Sequence, residues 1–262
     1  MGRAEGMRPD YYHLHHSRFK EDNLFWLETV EDCDSVLELG CGTGRISRLL
    51  VEAGVNLIGL DLNLDYLEYF RTRVSQKLDS STGKISLVQG DMRWIPLLTN
   101  IEAVISPCNT ISIFSRADRF RIFNQVNQVL SEQGGFTFSL PNPVLLRDIH
   151  DQLKKNPEME SQPEDWIEDP ETGFPVQISS WMEAVPEGLR WWWYYDQLDP
   201  GGEVSRVQMN ALQSLDDLEV YRTQLRESGF DIFREWGGFR GEKYSPSSPY
   251  WIVKAVKNPD LD

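Results

Sequence analysis

Three alternating glycines, Gly40, Gly42 and Gly44, close the segment Val36-Leu37-Glu38-Leu39-Gly40-Cys41-Gly42-Thr43-Gly44-Arg45, between an apolar run and an amphipathic one. Side chains at those positions would hold a ligand away from the backbone, so the spacing predicts a turn on which a ligand rests. Two carboxylates follow in similar settings, Asp61 in Gly59-Leu60-Asp61 and Asp91 in Gly90-Asp91-Met92. An acidic side chain at a strand tip can accept hydrogen bonds from two ribose hydroxyls and disfavours a 2′-phosphate. A second can accept from an adenine amino group while Met92 packs on the ring. Each residue alone reads as a turn or cap former. At the carboxyl ends of three successive strands they would share one crevice. A dinucleotide fingerprint would need a further glycine where Arg45 stands, so the pattern points to a nucleoside ligand of another kind.

These groups need a frame, and the first half of the chain alternates short apolar runs with amphipathic stretches, the pattern of a parallel sheet. Strands are expected at Ser35–Leu39, Val55–Leu60, Ile85–Gln89, Ala103–Pro107 and Phe136–Leu140, each a continuous apolar run of the kind covered on both faces. Between them Leu64, Leu67, Phe70 and Val74 recur at helical spacing, as do Ile122, Val126, Val129 and Leu130. Gly54 and the pair Gly134–Gly135 stand where helices should stop. After Leu140 the rhythm changes. Pro141, Pro143, Pro157, Pro163, Pro170 and Pro175 punctuate an acidic stretch, with Asp169–Gly173 reading as a turn. Three runs then follow with short turns between them, Val176–Ala184, Leu189–Leu198 and Ser205–Leu212, which predicts an antiparallel meander. A helix is expected over Asp216–Ser228, opened by a capping box of Ser214 and Asp217, and last strands at Phe230–Trp236 and Tyr250–Val256. The meander is therefore an insertion within an α/β fold.

With these segments in view, VLELGCGTGR resembles the first motif of the class I S-adenosylmethionine-dependent methyltransferases, and GLDLN and QGDMR resemble the second and third. The likeness runs on through Ser106-Pro107-Cys108-Asn109-Thr110 and Leu130–Phe136. In the C-terminal third, Arg226–Phe230 and Gly237-Gly238-Phe239 look like small-molecule methyltransferases with an inserted antiparallel sheet, a group that includes amino-sugar N-methyltransferases. The resemblance implies a Rossmann-like, doubly wound, seven-stranded and mostly parallel sheet with a small antiparallel β insertion. It implies S-adenosyl-L-methionine as cofactor. Glu38, Gly40, Cys41, Gly42 and Gly44 would then hold its methionine end, Asp61 the ribose, Leu62 the adenine face, and Asp91 with Met92 the adenine edge. The main-chain carbonyl near Ser106 or Pro107 would take the methionine ammonium. It also implies a division into an N-terminal helical lid (1–33), a methyltransferase core (34–155 and 214–262) and an inserted sheet over the active site (156–213).

The acceptor side is read from other residues. Tyr12 resembles the family tyrosine that contacts the cofactor, and His13, His15 and His16 share its segment. Tyr12 is the first candidate for the base and one histidine, His15, the second, against the alternative of exposed histidines at a chain terminus. In Trp191-Trp192-Trp193-Tyr194-Tyr195 alternate residues face opposite ways on a strand. Trp193 and Tyr195 are candidate substrate contacts that would favour a cationic amine, and Phe239 and Arg240 are candidates from a loop. A net charge of −15 with pI near 4.7 argues against nucleic acid and anionic membranes as partners and suits a small neutral or cationic acceptor. The cysteines Cys33, Cys41 and Cys108 have no metal-ligand spacing and no metal is expected. No run approaches the roughly 20 apolar residues of a membrane span, and the N-terminus has no signal-peptide pattern, so a cytoplasmic location is expected. The expected activity is methylation of a small molecule at nitrogen or oxygen. The rivals are a protein or RNA methyltransferase, a cofactor-binding partner without chemistry, and a nicotinamide dehydrogenase.

Overall fold

The computed structural model describes residues 7–77, 83–96, 100–156 and 161–258. Pro157, Glu158 and Glu160 of the acidic stretch lie outside them. The chain forms two compact units, one of Phe19–Leu145 with Asp216–Asp262 and one of Met1–Arg18 with Leu146–Leu215.

The larger unit is built on strands β1 (Val36–Leu39), β2 (Leu57–Asp61), β3 (Ile85–Gln89), β4 (Ile101–Ser106) and β5 (Leu130–Pro141), and closes with β10 (Phe230–Trp236) and β11 (Tyr250–Lys257). They lie in the order β10-β11-β5-β4-β1-β2-β3, seven strands in one sheet. β11 runs antiparallel to both its neighbours and the other pairs are parallel. Alternate residues of each strand feed opposite layers. Leu37, Val104 and Val253 meet α5 (Arg116–Val129) and α7 (Leu218–Glu227), whereas Val36, Ala103, Ile105 and Ile252 meet α2 (Asn23–Val30) and α3 (Arg45–Glu52); α4 (Leu64–Tyr69) follows β2. The sheet is therefore wound on both faces. From β1 the chain goes to β2 on one side and later to β4 on the other. The order reverses between β1 and β4, where ligands bind in folds of this kind.

Two local expectations are corrected. Gly134 and Gly135 do not stop a helix: α5 ends at Val129 and β5 runs through both glycines. The pairing is irregular there, with Ile101 opposite Leu130 but Ala103 opposite Gly135. A Cβ at Gly134 would come within 2.9 Å of the Ile101 carbonyl oxygen, so the close backbone approach explains the glycine. Helix α7 begins at Leu218 with Asp217 at its cap, and no side-chain capping bond forms there. The neighbouring Asp216 pairs instead with Arg119, a fully buried arginine of α5.

The smaller unit holds α1 (Pro9–His16), most of α6 (Pro143–Lys155) and an antiparallel sheet in the order β6-β7-β8-β9. Its strands are β6 (Gln162–Glu168), β7 (Pro175–Val185), β8 (Gly188–Leu198) and β9 (Val204–Gln213). The sheet has one strand more than the three runs predict. β6 is the addition, an edge strand, where Pro163 costs no ladder bond to a second neighbour. Asp169–Gly173 makes the expected turn: Asp169 Oδ1 accepts from the amides of Glu171 and Thr172, at 2.8 and 2.9 Å, and Gly173 has φ of 71°. Tyr11 of α1 packs with Ile167, Val176, Ile178 and Tyr195, and Leu146 and Leu153 of α6 with Leu189. Among the described residues no helix is long and apolar enough to cross a membrane.

Candidate active site

The crevice at the carboxyl ends of β1, β2, β3 and β4 gathers Glu38, the glycine turn, Asp61, Leu62, Asp91, Met92, Ser106 and Pro107, all within the larger unit. Gly40, Gly42 and Gly44 have φ of 74°, 55° and 87°, a region that L side chains rarely adopt. The turn is tied to β2 through its own amides. Gly40 N and Cys41 N donate to the Leu60 carbonyl at 2.8 and 3.2 Å, Gly44 N to the Cys41 carbonyl at 2.9 Å, and Gly42 N to Asp61 Oδ2 at 2.8 Å. These four amides are occupied by the protein and offer no cradle for a phosphate.

Acceptors line the crevice instead. Asp61 receives Gly42 N on one carboxylate oxygen and Asn63 N on the other, each at 2.8 Å, which leaves lone pairs on both for further donors. Burial raises its pKa while the amides of Asn63, Gly42 and Leu62 oppose the shift. Glu38 is buried on the α3 side and accepts from Ser47 Oγ. Burial pushes its carboxyl up to about 7, against the pull of Ser47 and Arg45 and helped by Asp61 and Asp22. Asp91 is gripped by Arg93, whose Nη2 lies 2.6 Å from Oδ2 and whose amide bonds Oδ1 at 2.9 Å, and this holds its carboxyl below the usual range. Leu62 is exposed and Met92 is buried with the core. Cys41 directs its thiol inward, so that a Cβ on Gly59 would come within 2.9 Å of Sγ. Its side chain packs, and only its backbone faces the turn's exterior. Ser106 Oγ donates to the Leu39 carbonyl at 3.3 Å, and the Pro107 carbonyl accepts from Thr110 Oγ1 at 2.9 Å.

Arg45, which stands in place of a third glycine, turns away from the loop. Its Nη1 and Nη2 take the two oxygens of Asp22 at 2.6 and 2.7 Å, Nη1 also donates to the Phe19 carbonyl at 2.9 Å, and Nη2 lies 2.8 Å from Cys108 Sγ. The sequence offers no local sign of this junction, because its members are far apart in the chain. Asn109 was missed as well: its side-chain Oδ1 is buried with no hydrogen-bond partner among the described residues.

The acceptor-side candidates divide between the units. In the larger unit, Phe239 packs on Phe19, Phe25 and Tyr250, and Arg240 is exposed. In the smaller unit, Tyr12 packs on His16, with ring centroids 4.3 Å apart. His15 Nδ1 lies 2.8 Å from the hydroxyl of Tyr195, and its Nε2 lies 3.4 Å from Glu164. Trp193 stacks on Trp191 with centroids 5.3 Å apart, and on the opposite face of β8 Trp192 stacks between Trp181 and Tyr194. The carboxylate, imidazole and phenol form a relay that the sequence pattern leaves hidden, since Glu164 belongs to the strand it does not predict.

Residues 36–134 match the family model described as a methyltransferase domain. Over 247 residues, 90% of each chain, the protein is 25% identical to YqeM of Bacillus subtilis (strain 168), a methyltransferase by designation. Among solved structures it is similar to an S-adenosylmethionine-dependent methyltransferase from Clostridium acetobutylicum ATCC 824, with a TM-score of 0.74 and 15% identity over 95% of this chain and 96% of that one. The sugar N-methyltransferase KedS8 from Streptoalloteichus sp ATCC 53650 gives a TM-score of 0.70 and 18% identity, over 95% of this chain and 92% of that one. DesVI of Streptomyces venezuelae gives 0.70 and 18%, over 94% and 96%. The fold is that of the class I methyltransferases.

Proposed function

Residues 36–134 being a methyltransferase domain, we propose that this enzyme transfers the methyl group of S-adenosyl-L-methionine to a nitrogen or oxygen of a small molecule. One observation carries the choice of cofactor: the amides at Gly40, Cys41, Gly42 and Gly44 are spent within the protein, and the crevice presents Glu38, Asp61 and Asp91. A pyrophosphate would find those four amides already taken and would meet carboxylates. A cationic nucleoside rich in hydroxyl and ammonium donors fits this donor-poor, acceptor-rich set. When bound, S-adenosylmethionine supplies a methyl group already activated by its sulfonium.

What remains for the chain is binding, alignment and a proton. Asp61 takes the ribose hydroxyls on its free lone pairs, and Leu62 lies along the adenine. Asp91, fixed by Arg93, accepts at the adenine edge. Glu38 and its neighbours favour the cationic end. Holding nucleophile, sulfur and methyl in line contributes on the order of 7–11 kcal/mol of barrier reduction. His15 takes the proton that the acceptor loses, and Glu164 steadies the imidazolium. The acceptor is a small amine or hydroxyl compound handled in the cytoplasm. The charge of −15 supports an amine, as do the similar proteins that act on nitrogen, the sugar N-methyltransferase KedS8 and the glycopeptide N-methyltransferase MtfA.

Calorimetric titration with S-adenosylhomocysteine tests the reading. Saturable binding is expected in the wild type, with loss of at least about tenfold in affinity for Asp61→Ala, because two hydrogen bonds to a charged group are removed. Absence of binding by the folded wild type would overturn it.

A further inference from the structure

The second lip of the crevice, after β4, holds a backbone shape that residues other than glycine seldom take. Cys108 and Asn109 are consecutive and have φ of 58° and 60°. Conformations of this kind persist where the surroundings over-determine them, and they gather at ligand clamps. Here the surroundings are explicit. Arg45 Nη2 meets Cys108 Sγ at 2.8 Å, Ser139 Oγ accepts from Asn109 N at 3.4 Å, and Thr110 Oγ1 donates to the Pro107 carbonyl at 2.9 Å. Ser112 Oγ donates to the Asn109 carbonyl. The turn is also seated on the glycine loop, since a Cβ at Gly40 would come within 2.8 Å of Thr110 Cγ2. On this fixed turn Asn109 carries a buried side-chain oxygen with no donor among the described residues. A buried carbonyl oxygen without a partner is costly, and a smaller side chain would avoid the cost.

A left-handed turn held by its neighbours and an unmet acceptor thus coincide at the switch point of the sheet. We propose that Oδ1 of Asn109 is a binding group for an N–H donor, an ammonium or amine carried by the ligand of the glycine-loop site. Such a donor offers hydrogens to the unmet oxygen and enters a crevice already lined by Glu38 and Asp61. A carboxylate or phosphate brings neither advantage. The inference rests on the reading of the crevice as an S-adenosylmethionine site. The donor has two sources: the α-ammonium of the cofactor, or the acceptor amine at the point of methyl transfer.

Three ligands distinguish them by calorimetry on the full chain: S-adenosylhomocysteine, sinefungin (which adds an amine where the methyl would be) and 5′-methylthioadenosine, which lacks the amino-acid end. The variants are Asn109→Leu, similar in size but without an acceptor, and Asn109→Gly, which suits the positive φ and removes the unmet oxygen. Loss of at least about tenfold for S-adenosylhomocysteine and sinefungin, with 5′-methylthioadenosine unchanged, assigns the cofactor ammonium. Loss for sinefungin alone assigns the acceptor amine. Asn109→Gly is also expected to melt at or above the wild-type temperature, because binding and not folding requires the asparagine. Unchanged affinity for all three ligands, or equal loss for all three, would overturn the proposal while leaving the cofactor site standing. Failure of the wild type to bind any of them would overturn the cofactor reading itself.

Discussion

Glu38 is the residue whose charge the fold controls most directly. Its carboxyl ordinarily titrates at 4.5 and is raised to about 7 in the folded chain, chiefly by burial. The folded state therefore holds a proton that the unfolded state has released, and stability falls as pH rises from about 4.5 through 7. The loss is on the order of 2–3 kcal/mol. Melting temperatures of the wild type should decline across that window, and Glu38→Gln, which keeps an acceptor for Ser47 without the charge, should flatten the decline. A positive ligand arriving nearby would draw the pKa down, so binding of S-adenosylmethionine, which carries the sulfonium charge, should release part of a proton near neutral pH. Calorimetric enthalpies that change with the ionisation heat of the buffer in wild type, but not in Glu38→Gln, would show it. Gly44 makes a steric demand of the same loop. Its φ is 87°, and a Cβ there would come within 2.5 Å of the Phe70 ring. Gly44→Ala should cost roughly 1–3 kcal/mol in urea unfolding, because both the backbone and the packing oppose it.

Helix α1 shows how an element can be held without an apolar signature. PDYYHLHH has one buried residue, Tyr11, which with Tyr12 and Leu14 joins the apolar cluster of Ile167, Val176 and Ile178, and polar bonds add to that packing. Tyr11 donates to Asp169, Arg8 Nη1 meets the same carboxylate at 2.8 Å, and Arg18 pairs with Asp165. Burial works against the Asp169 charge, but the Tyr11 hydroxyl, the amides of Thr172 and Glu171, and Arg8 hold its carboxyl down to about 2. With a folded value below the usual 3.8, the stabilisation is present above that pH and is lost as pH falls toward 2. It amounts to on the order of 2 kcal/mol. Asp169→Asn should lower the melting temperature at pH 7 and weaken its dependence on acid below pH 4, and protease cleavage near α1 should rise in parallel. This attachment was not legible in the sequence, where periodicity reports burial and not long-range ion pairs. Strands β1 to β4 were legible to within two residues: β1, β2 and β4 are covered on both faces and largely apolar, whereas β3, an edge strand of half-buried and exposed residues, departs from that expectation and showed only through Ile85, Leu87 and Val88. β6 was not, because Pro163, Glu164 and Asp165 interrupt any alternation and an edge strand tolerates them. At the site the same division holds. The glycines and aspartates of the crevice announce themselves by turn chemistry, whereas the Arg45–Asp22–Cys108 junction and the left-handed turn at Asn109 depend on contacts between distant segments.

At the scale of the whole chain, chemistry and covalent order are separated. Every candidate cofactor residue, from Glu38 to Pro107, belongs to the unit of Phe19–Leu145 and Asp216–Asp262, whereas Tyr12, His15, Trp193 and Tyr195 belong to the other. Each unit has hydrophobic clusters of its own. The larger is centred on Leu37, Val104, Phe136 and Phe138 with a second layer around Trp26 and Leu50, and the smaller on Tyr11, Val176 and Tyr195 with a second cluster around Leu146, Leu153 and Leu189. Of the three crossings of the chain into or out of the smaller unit, after Arg18, Leu145 and Leu215, the last two lie side by side, for Arg147 Nη1 donates to the Leu215 carbonyl at 3.1 Å. A short linker can therefore join the ends left by its removal at little extra entropic cost, since loop closure grows only slowly with length. Removing the first 18 residues and replacing Leu146–Leu215 with a Gly-Ser linker should leave a folded protein that binds S-adenosylhomocysteine within about tenfold of the full chain, since Tyr12 is the one candidate cofactor contact that is lost. Turnover of any amine acceptor that the full chain methylates should vanish. Retained binding with lost turnover would place acceptor recognition and proton removal in the smaller unit. Retained turnover would instead remove His15, Trp193 and Tyr195 from the reaction and return the search for the base to the crevice itself, where Glu38 is the one carboxyl raised to about 7.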